Sequence, residues 1–289
     1  MRADISPQSP ELPIPAATLD ELLRAWGLMR LPFTNDDKPT PLFPVPTHKE
    51  ITELLDYTAA LRSVMLLTGD PGTGKSSLIK TWIHSLEPKR YLPLLITQAS
   101  LSATGVLEIL LAKLGLRPGF KRSTNLITLE KHLADIDPMT LILILDDAQN
   151  YPAPALEEIR LLLGLGGRSR SAFALILLGD CYLLDTLRLS VQRALYSRIG
   201  ARAALGPIPR ADIPAFLHWQ VARAGLDRDI FAPAALDLLA EASHGNPRTL
   251  NLLSQAAWLA AARSSSLTIL PEHLHIALRQ VPAALSLAK

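Results

Sequence analysis

Two short stretches carry residue types that do chemistry together. The first is Gly69-Asp70-Pro71-Gly72-Thr73-Gly74-Lys75-Ser76, followed by Ser77. Two glycines bracket four residues, and a lysine and a hydroxyl follow. That spacing turns backbone N–H groups inward around phosphate oxygens. The start of the following helix adds its partial positive charge. Lys75 is placed to reach the outer phosphates of a bound ATP, and Ser76 to ligate Mg²⁺. The second stretch is LILILDDAQN, residues 141–150. An aliphatic run ends in two acids, so a buried strand delivers Asp146 and Asp147 to its carboxyl end. Asp146 is expected to hold Mg²⁺ with Ser76 from a neighbouring strand, and Asp147 to hold the attacking water. Lys75, Asp147 and an arginine discussed below form the expected catalytic set.

These stretches need a scaffold, and the hydropathy pattern supplies one. Apolar runs of strand length lie at 63–68, 91–97, 141–146 and 173–179, with a weaker fifth at 199–206. Helical stretches at 75–85, 102–114 and 128–134 fall between them. Continuous apolar strands alternating with helices predict an α/β fold: a five-stranded parallel sheet covered on both faces. After Pro209 the strands stop. Helices at 210–224, 232–243, 247–263 and 271–280 predict an all-helical lid. Upstream, Thr18 and Glu21 form a capping box for a short helix that Gly27 ends. LPFTNDDKPTPLFPVP is proline-rich, and Thr47 then caps a helix to Leu61. The chain divides into a proline-rich arm (1–46), an α/β core (47–208) and a helical lid (209–289).

Composition removes other classes. The 289 residues are 48% hydrophobic and 19% charged, the balance of a globular chain, and net charge is +2. One cysteine, Cys181, excludes a disulfide framework and a cysteine metal cluster. The seven histidines show no metal-ligand spacing. No signal peptide and no run long enough to span a membrane is present, so a cytoplasmic protein without a membrane partner is expected.

Together these motifs resemble the AAA+ ATPases, and more narrowly the ExeA/GspA-like branch and the ATPases that assist DDE transposases. The likeness runs from Trp26 to Val281. It rests on GLMRLPF (27–33), GDPGTGKSS, LDDAQN, LILLGD, YSRIG and GNPRTLN (245–251). The resemblance implies that Arg198 is a finger reaching the γ-phosphate bound by the next subunit, with Arg193 as runner-up. It implies that Arg248 contacts phosphate in cis. It implies head-to-tail self-association into a ring or helical filament. Two positions depart from the pattern. The family's second strand-end acid is Glu, and here it is Asp147. A neutral polar residue usually follows the fourth strand, and here Asp180 does, placing an acid toward the γ-phosphate. Shortening Glu to Asp withdraws the carboxylate by roughly 1 to 1.5 Å, and about 1 Å of misplacement can cost a hundredfold in rate. The sequence therefore predicts slow hydrolysis, with ATP acting as an assembly switch.

The substrate of that switch is read from charge. Residues 160–210 hold eight arginines and two acids. A second basic patch is GFKRSTN (119–125), read as a loop. In the DNA-binding AAA+ assemblies that the chain resembles, the loops flanking the helix after the second strand face a central channel, so the resemblance implies that Lys121, Arg122, Ser123 and Thr124 contact the backbone of duplex DNA without sequence preference, joined by Ser100, Ser102 and Thr104 at a helix start. Trp82, Trp219 and Trp258 are expected in helical packing, and Trp26 with Phe33 against the ATPase core. Two functions fit. One is an ATP-dependent DNA-binding regulator of transposition that recruits a DDE transposase. The other is an ExeA/GspA-like ATPase for assembly of a secretion system. Full-length members of the latter group carry a membrane span and a peptidoglycan-binding region; the stop at Lys289 favours the former.

Overall fold

The computed structural model describes residues 18–34, 42–98, 102–165 and 171–281. Within them the chain forms two compact units. One comprises residues 42–210 together with 244–248; the other comprises 18–34, 211–243 and 249–281.

The first unit is the α/β core. Its elements in order are α2 (Pro46–Leu61, after α1 of the other unit), β1 (Val64–Thr68), α3 (Lys75–Ser85), β2 (Tyr91–Ile96), α4 (Ala103–Lys113), α5 (Arg122–Asp135), β3 (Thr140–Leu145), α6 (Ala153–Leu163), β4 (Ala174–Gly179), α7 (Cys181–Arg188), α8 (Arg193–Tyr196) and β5 (Ile199–Ala204). The five strands are all parallel, in the order β2-β3-β4-β1-β5. Strand side chains alternate between faces. Val64 and Leu66 of β1 and Leu141, Leu143 and Leu145 of β3 pack with residues of α4, α5, α6 and α7. Met65, Leu67, Ile142 and Ile144 pack on the other face with Ile51, Leu55, Leu78 and Trp82 of α2 and α3. Strands buried on both sides need aliphatic residues at every position, which is why the sequence reads as unbroken apolar runs.

Three local readings change. Val45, not Thr47, is the N-cap of α2, because Pro46 occupies the first helical turn, where a missing N–H costs nothing. The segment read as a loop at 119–125 is already helical from Arg122. The strand that ends at Asp146 is not the neighbour of β1: β4 lies between them.

The second unit consists of α1 (Leu19–Trp26), α9 (Ile213–Arg223), α10 (Pro233–Ser243), α11 (Pro247–Arg263, from Thr249 on) and α12 (Pro271–Gln280). The capping box of Thr18 and Glu21 and the left-handed Gly27 terminate α1 as the sequence predicts. Trp26 packs edge-on to Trp258 at 6.2 Å, and Phe33 to Phe231 at 5.9 Å. The opening segment thus packs with the lid helices, a correction to its expected place on the ATPase core. Trp26, Phe33 and Trp258 are all buried. Among the described residues no helix is long and apolar enough to cross a membrane.

One polar contact fixes the base of the sheet. Arg62 ends α2 with a left-handed backbone and is buried. Its guanidinium donates to Asp137 Oδ1 at 2.7 Å, to Thr140 Oγ1 at 3.3 Å and to the carbonyls of Pro138 and Met139, both at 3.4 Å. This ties the end of α2 to the start of β3. Arg62→Ala strands several acceptors in a buried setting, and a loss of about 2 to 4 kcal/mol is expected. A urea-denaturation midpoint equal to that of the wild type would refute this role.

Candidate nucleotide site

The loop 69–74 leaves β1 and delivers α3. Thr73 closes it on itself, its Oγ donating to the Asp70 carbonyl at 2.8 Å. The Lys75 ammonium spans the loop, donating to the carbonyls of Gly69 at 2.7 Å and Asp70 at 3.1 Å. These carbonyls hold the amine over the cradle where a phosphate oxygen would take their place. Burial pulls the Lys75 pKa below its ordinary value, while Asp146, Asp147, Asp180 and Asp70 push back. The nearby carboxylates favour the protonated ammonium, the form that binds phosphate oxygens.

The metal pair predicted from sequence meets: the Ser76 hydroxyl donates to Asp146 Oδ2 at 2.9 Å, although β4 separates their strands. A hydroxyl and a carboxylate at this separation are the hard oxygen donors that Mg²⁺ takes alongside substrate phosphates and water. Asp146 Oδ1 also accepts the Asp147 N–H at 3.0 Å. Asp147 itself is exposed, with φ +50 and ψ 45. Asp180 follows β4 directly and caps α7 by accepting the Tyr182 N–H at 3.0 Å. Its electrostatic effect on Lys75 places it with the cluster. Ser77 is exposed on the first turn of α3.

Sequence reasoning missed three neighbours. Tyr151 is buried with no hydrogen-bond partner for its hydroxyl; burial, then Asp146 and Asp147, push its pKa up to about 12. Gln149 Nε2 donates to Asp147 Oδ1 at 3.3 Å. Asn246 Nδ2 donates to the Pro71 carbonyl at 2.9 Å. The Arg248 N–H reaches both Gly72 O at 3.2 Å and Asn246 Oδ1 at 3.1 Å. The segment 244–248 is therefore bound to the tip of the phosphate loop. The Arg248 side chain remains exposed.

Other sequence-predicted residues stand apart. Arg198 is exposed, and its guanidinium donates to the Arg160 carbonyl at 3.4 Å. Arg160 is paired with Glu157 at 2.7 Å. Arg193 is exposed four residues before Ser197. Arg168, Arg170 and Ser100 lie outside the described residues. Lys121 is the N-cap of α5 and makes no side-chain cap, and Ser123 and Thr124 are exposed on the first turn. Arg122 instead forms a two-pronged pair with Glu158 at 2.9 to 3.2 Å, and Glu158 is buried. Ser102 caps α4 through the Gly105 N–H at 3.1 Å and contacts Thr104 at 3.2 Å. The Ser102 side chain thus caps one N–H of that helix end.

Gly72 shows why the loop tip tolerates no side chain. Its φ is +90, and a Cβ there would sit 2.7 Å from Asn246 Oδ1 and 2.8 Å from Arg248 Cβ. Gly72→Ala is expected to weaken ATP binding by about tenfold, the equivalent of ~1 to 2 kcal/mol of backbone strain. Titration of a fluorescent ATP analogue checks this; unchanged affinity would show that the loop tip is free to move.

Comparison with known proteins follows this geometry. Residues 59–187 match the family model described as an AAA domain. General secretion pathway protein A of Aeromonas hydrophila is 28% identical over 262 residues, covering 89% of this chain and 48% of that protein. The chain thus spans about half the length of this curated relative. Among solved structures, Cdc6p from Pyrobaculum aerophilum aligns with a TM-score of 0.67 at 20% identity, covering 86% of this chain and 70% of that one. Drosophila ORC bound to DNA gives 0.65 at 17% identity, over 96% and 70% of the two chains. The Aeropyrum pernix ORC1 protein in complex with DNA gives 0.65 at 18%, over 85% and 68%. At these identities the structural likeness is one of fold. The parallel sheet, the helical C-terminal part and the assembled phosphate loop make this an AAA+ fold.

Proposed function

We propose that this chain is an ATP-dependent, DNA-binding regulator of transposition that assembles head to tail on duplex DNA and activates a DDE transposase. The observation that carries the DNA half is the start of α5. Lys121 stands there with no side-chain cap on the helix end, beside exposed Ser123 and Thr124. Uncapped N–H groups, two hydroxyls and one ammonium make a phosphate-backbone contact that reads no sequence. That two proteins of the same fold were solved with DNA supports this reading. The exposed Arg198 is the group we assign to the neighbouring subunit's nucleotide. Bound Mg²⁺ would neutralise charge on the phosphates from Ser76 and Asp146. Lys75 binds the outer phosphates, Arg248 approaches from the loop tip, and Asp147 orients the water. Hydrolysis is slow because Asp147 is one methylene short, and ATP then serves as a switch for assembly in the cytoplasm.

A second reading, an ATPase for assembly of a secretion system, is favoured by the 28% identity to General secretion pathway protein A. DNA binding separates the two. Fluorescence anisotropy with unrelated duplexes, in ATP, ADP and a non-hydrolysable analogue, is expected to show ATP-dependent binding that falls steeply with salt. Lys121→Ala should weaken DNA about threefold to tenfold, lower the salt slope by about 1 per chain, and leave ATP affinity intact. Lys121 is the residue to change, because removing Arg122 would strand the buried Glu158 carboxylate. No DNA affinity at low salt sinks the transposition reading and leaves the secretion one.

Turnover tests the switch. Asp147→Glu restores the missing methylene and is expected to raise kcat, by up to about a hundredfold. An unchanged steady-state rate would end the geometric argument for slow hydrolysis.

A further inference from the structure

We propose that Gln149 is a positioning residue for hydrolysis, a clamp that fixes the short Asp147 carboxylate. The proposal rests on reading this site as an ATPase.

Four observations converge on it. Asp147 sits in a left-handed backbone conformation, exposed, immediately after the strand that delivers Asp146. A lone exposed carboxylate on such a turn has rotamer freedom. Gln149 lies on the next turn, the 3₁₀ segment Ala148–Asn150, and its Nε2 donates to Asp147 Oδ1 at 3.3 Å. An ionised carboxylate only accepts, so the amide must present its nitrogen to Asp147 and its oxygen the other way. That oxygen, Oε1, is buried with no hydrogen-bond partner. A buried unpartnered acceptor is unfavourable, and a purely structural amide would be expected to satisfy both ends.

The fourth observation concerns Gly179, the last residue of β4. A Cβ on Gly179 would sit 2.7 Å from Gln149 Oε1 and 2.6 Å from Leu183 Cδ2. Gly179 carries no positive φ. Its glycine is thus explained by space and not by backbone conformation. Part of that space is what the Gln149 amide fills. The side chain bridges from the water-orienting carboxylate to the end of β4, next to Asp180. Asp147 is held by the Gln149 amide, whose other end packs beside Gly179, and the geometry lost with the missing methylene is partly recovered as rigidity.

The experiment compares Gln149→Ala, Gln149→Glu, Asp147→Ala and the double variant Asp147→Ala/Gln149→Ala. Steady-state kcat, ATP affinity and melting temperature are measured on the full chain. Gln149→Ala should lower kcat about tenfold with ATP KM within about twofold, the size of a lost hydrogen bond to a charged group. Gln149→Glu keeps the volume but cannot donate and repels Asp147, so its loss should be at least as large. In the Asp147→Ala background, Gln149→Ala should change kcat less than about twofold. A near-normal Gln149→Glu beside a slow Gln149→Ala would assign the residue to packing and overturn the proposal. Equal losses in both backgrounds would do the same. Independently of turnover, the side-chain amide ¹H–¹⁵N resonances of Gln149 in nucleotide-free protein should shift in Asp147→Ala; unmoved resonances refute the contact. If the wild-type chain hydrolyses no ATP under any condition, the ATPase reading falls, and the resonance shift alone decides whether Gln149 clamps Asp147.

Discussion

One buried ammonium organises the catalytic end of the sheet. Lys75 is almost removed from water, and four carboxylates act on it: Asp146, Asp147, Asp180 and Asp70. Like-charged acids gathered at strand ends repel one another, and a cation in their midst is what makes the gathering tolerable. The ammonium in turn needs acceptors, which the loop supplies from its own carbonyls. The remaining architecture serves this balance. Parallel strands bring β1, β3 and β4 to end side by side, and helices on both faces keep water from the strands below. Only at the carboxyl ends does charge become affordable, as in open α/β sheets generally.

Much of this is legible in the sequence. The phosphate loop, Asp146 with Ser76, the parallel sheet and the four lid helices follow from local patterns: spacing, aliphatic runs and a period near 3.6. Such patterns are written in adjacent residues. What escaped was written across the chain. Nothing in the sequence near Arg122 announces that Glu158 will claim its guanidinium, thirty-six residues on. Nothing near Pro71 announces Asn246, one hundred and seventy-five residues away. The strand order, with β4 between β1 and β3, is likewise a long-range property. The start of α5 was misread for a local reason: Arg, Ser, Thr and Asn suit a loop as well as a first helical turn. Gln149 was visible in the motif but silent, since its role depends on a glycine at the end of another strand.

The functional reading divides along the same line. The nucleotide half rests on contacts that are short, local and mutually consistent. The partner half rests on a single helix start and on likenesses of fold. The Aeromonas relative, at 28% identity, and the DNA-bound structures, at 17% and 18%, show likeness of sequence and of fold and name no client for this chain. A phosphate site of this kind sets the chemistry of the phosphates and leaves the choice of partner to the surface.

The pair between Arg122 and Glu158 has a consequence for how such a surface would act. A guanidinium already neutralised by a buried carboxylate would add little to the phosphate charge a duplex could shed as counterions. Among the described residues of the α5 turn, that leaves one cation, Lys121, outside an ion pair. One such contact is too weak to hold a lone molecule on a polyanion. Repeated along a row of identical chains, it multiplies as avidity, with each added subunit binding at the effective concentration set by its neighbours. On the proposed reading, a feeble grip per subunit would make occupancy of the duplex depend steeply on how many chains stand together.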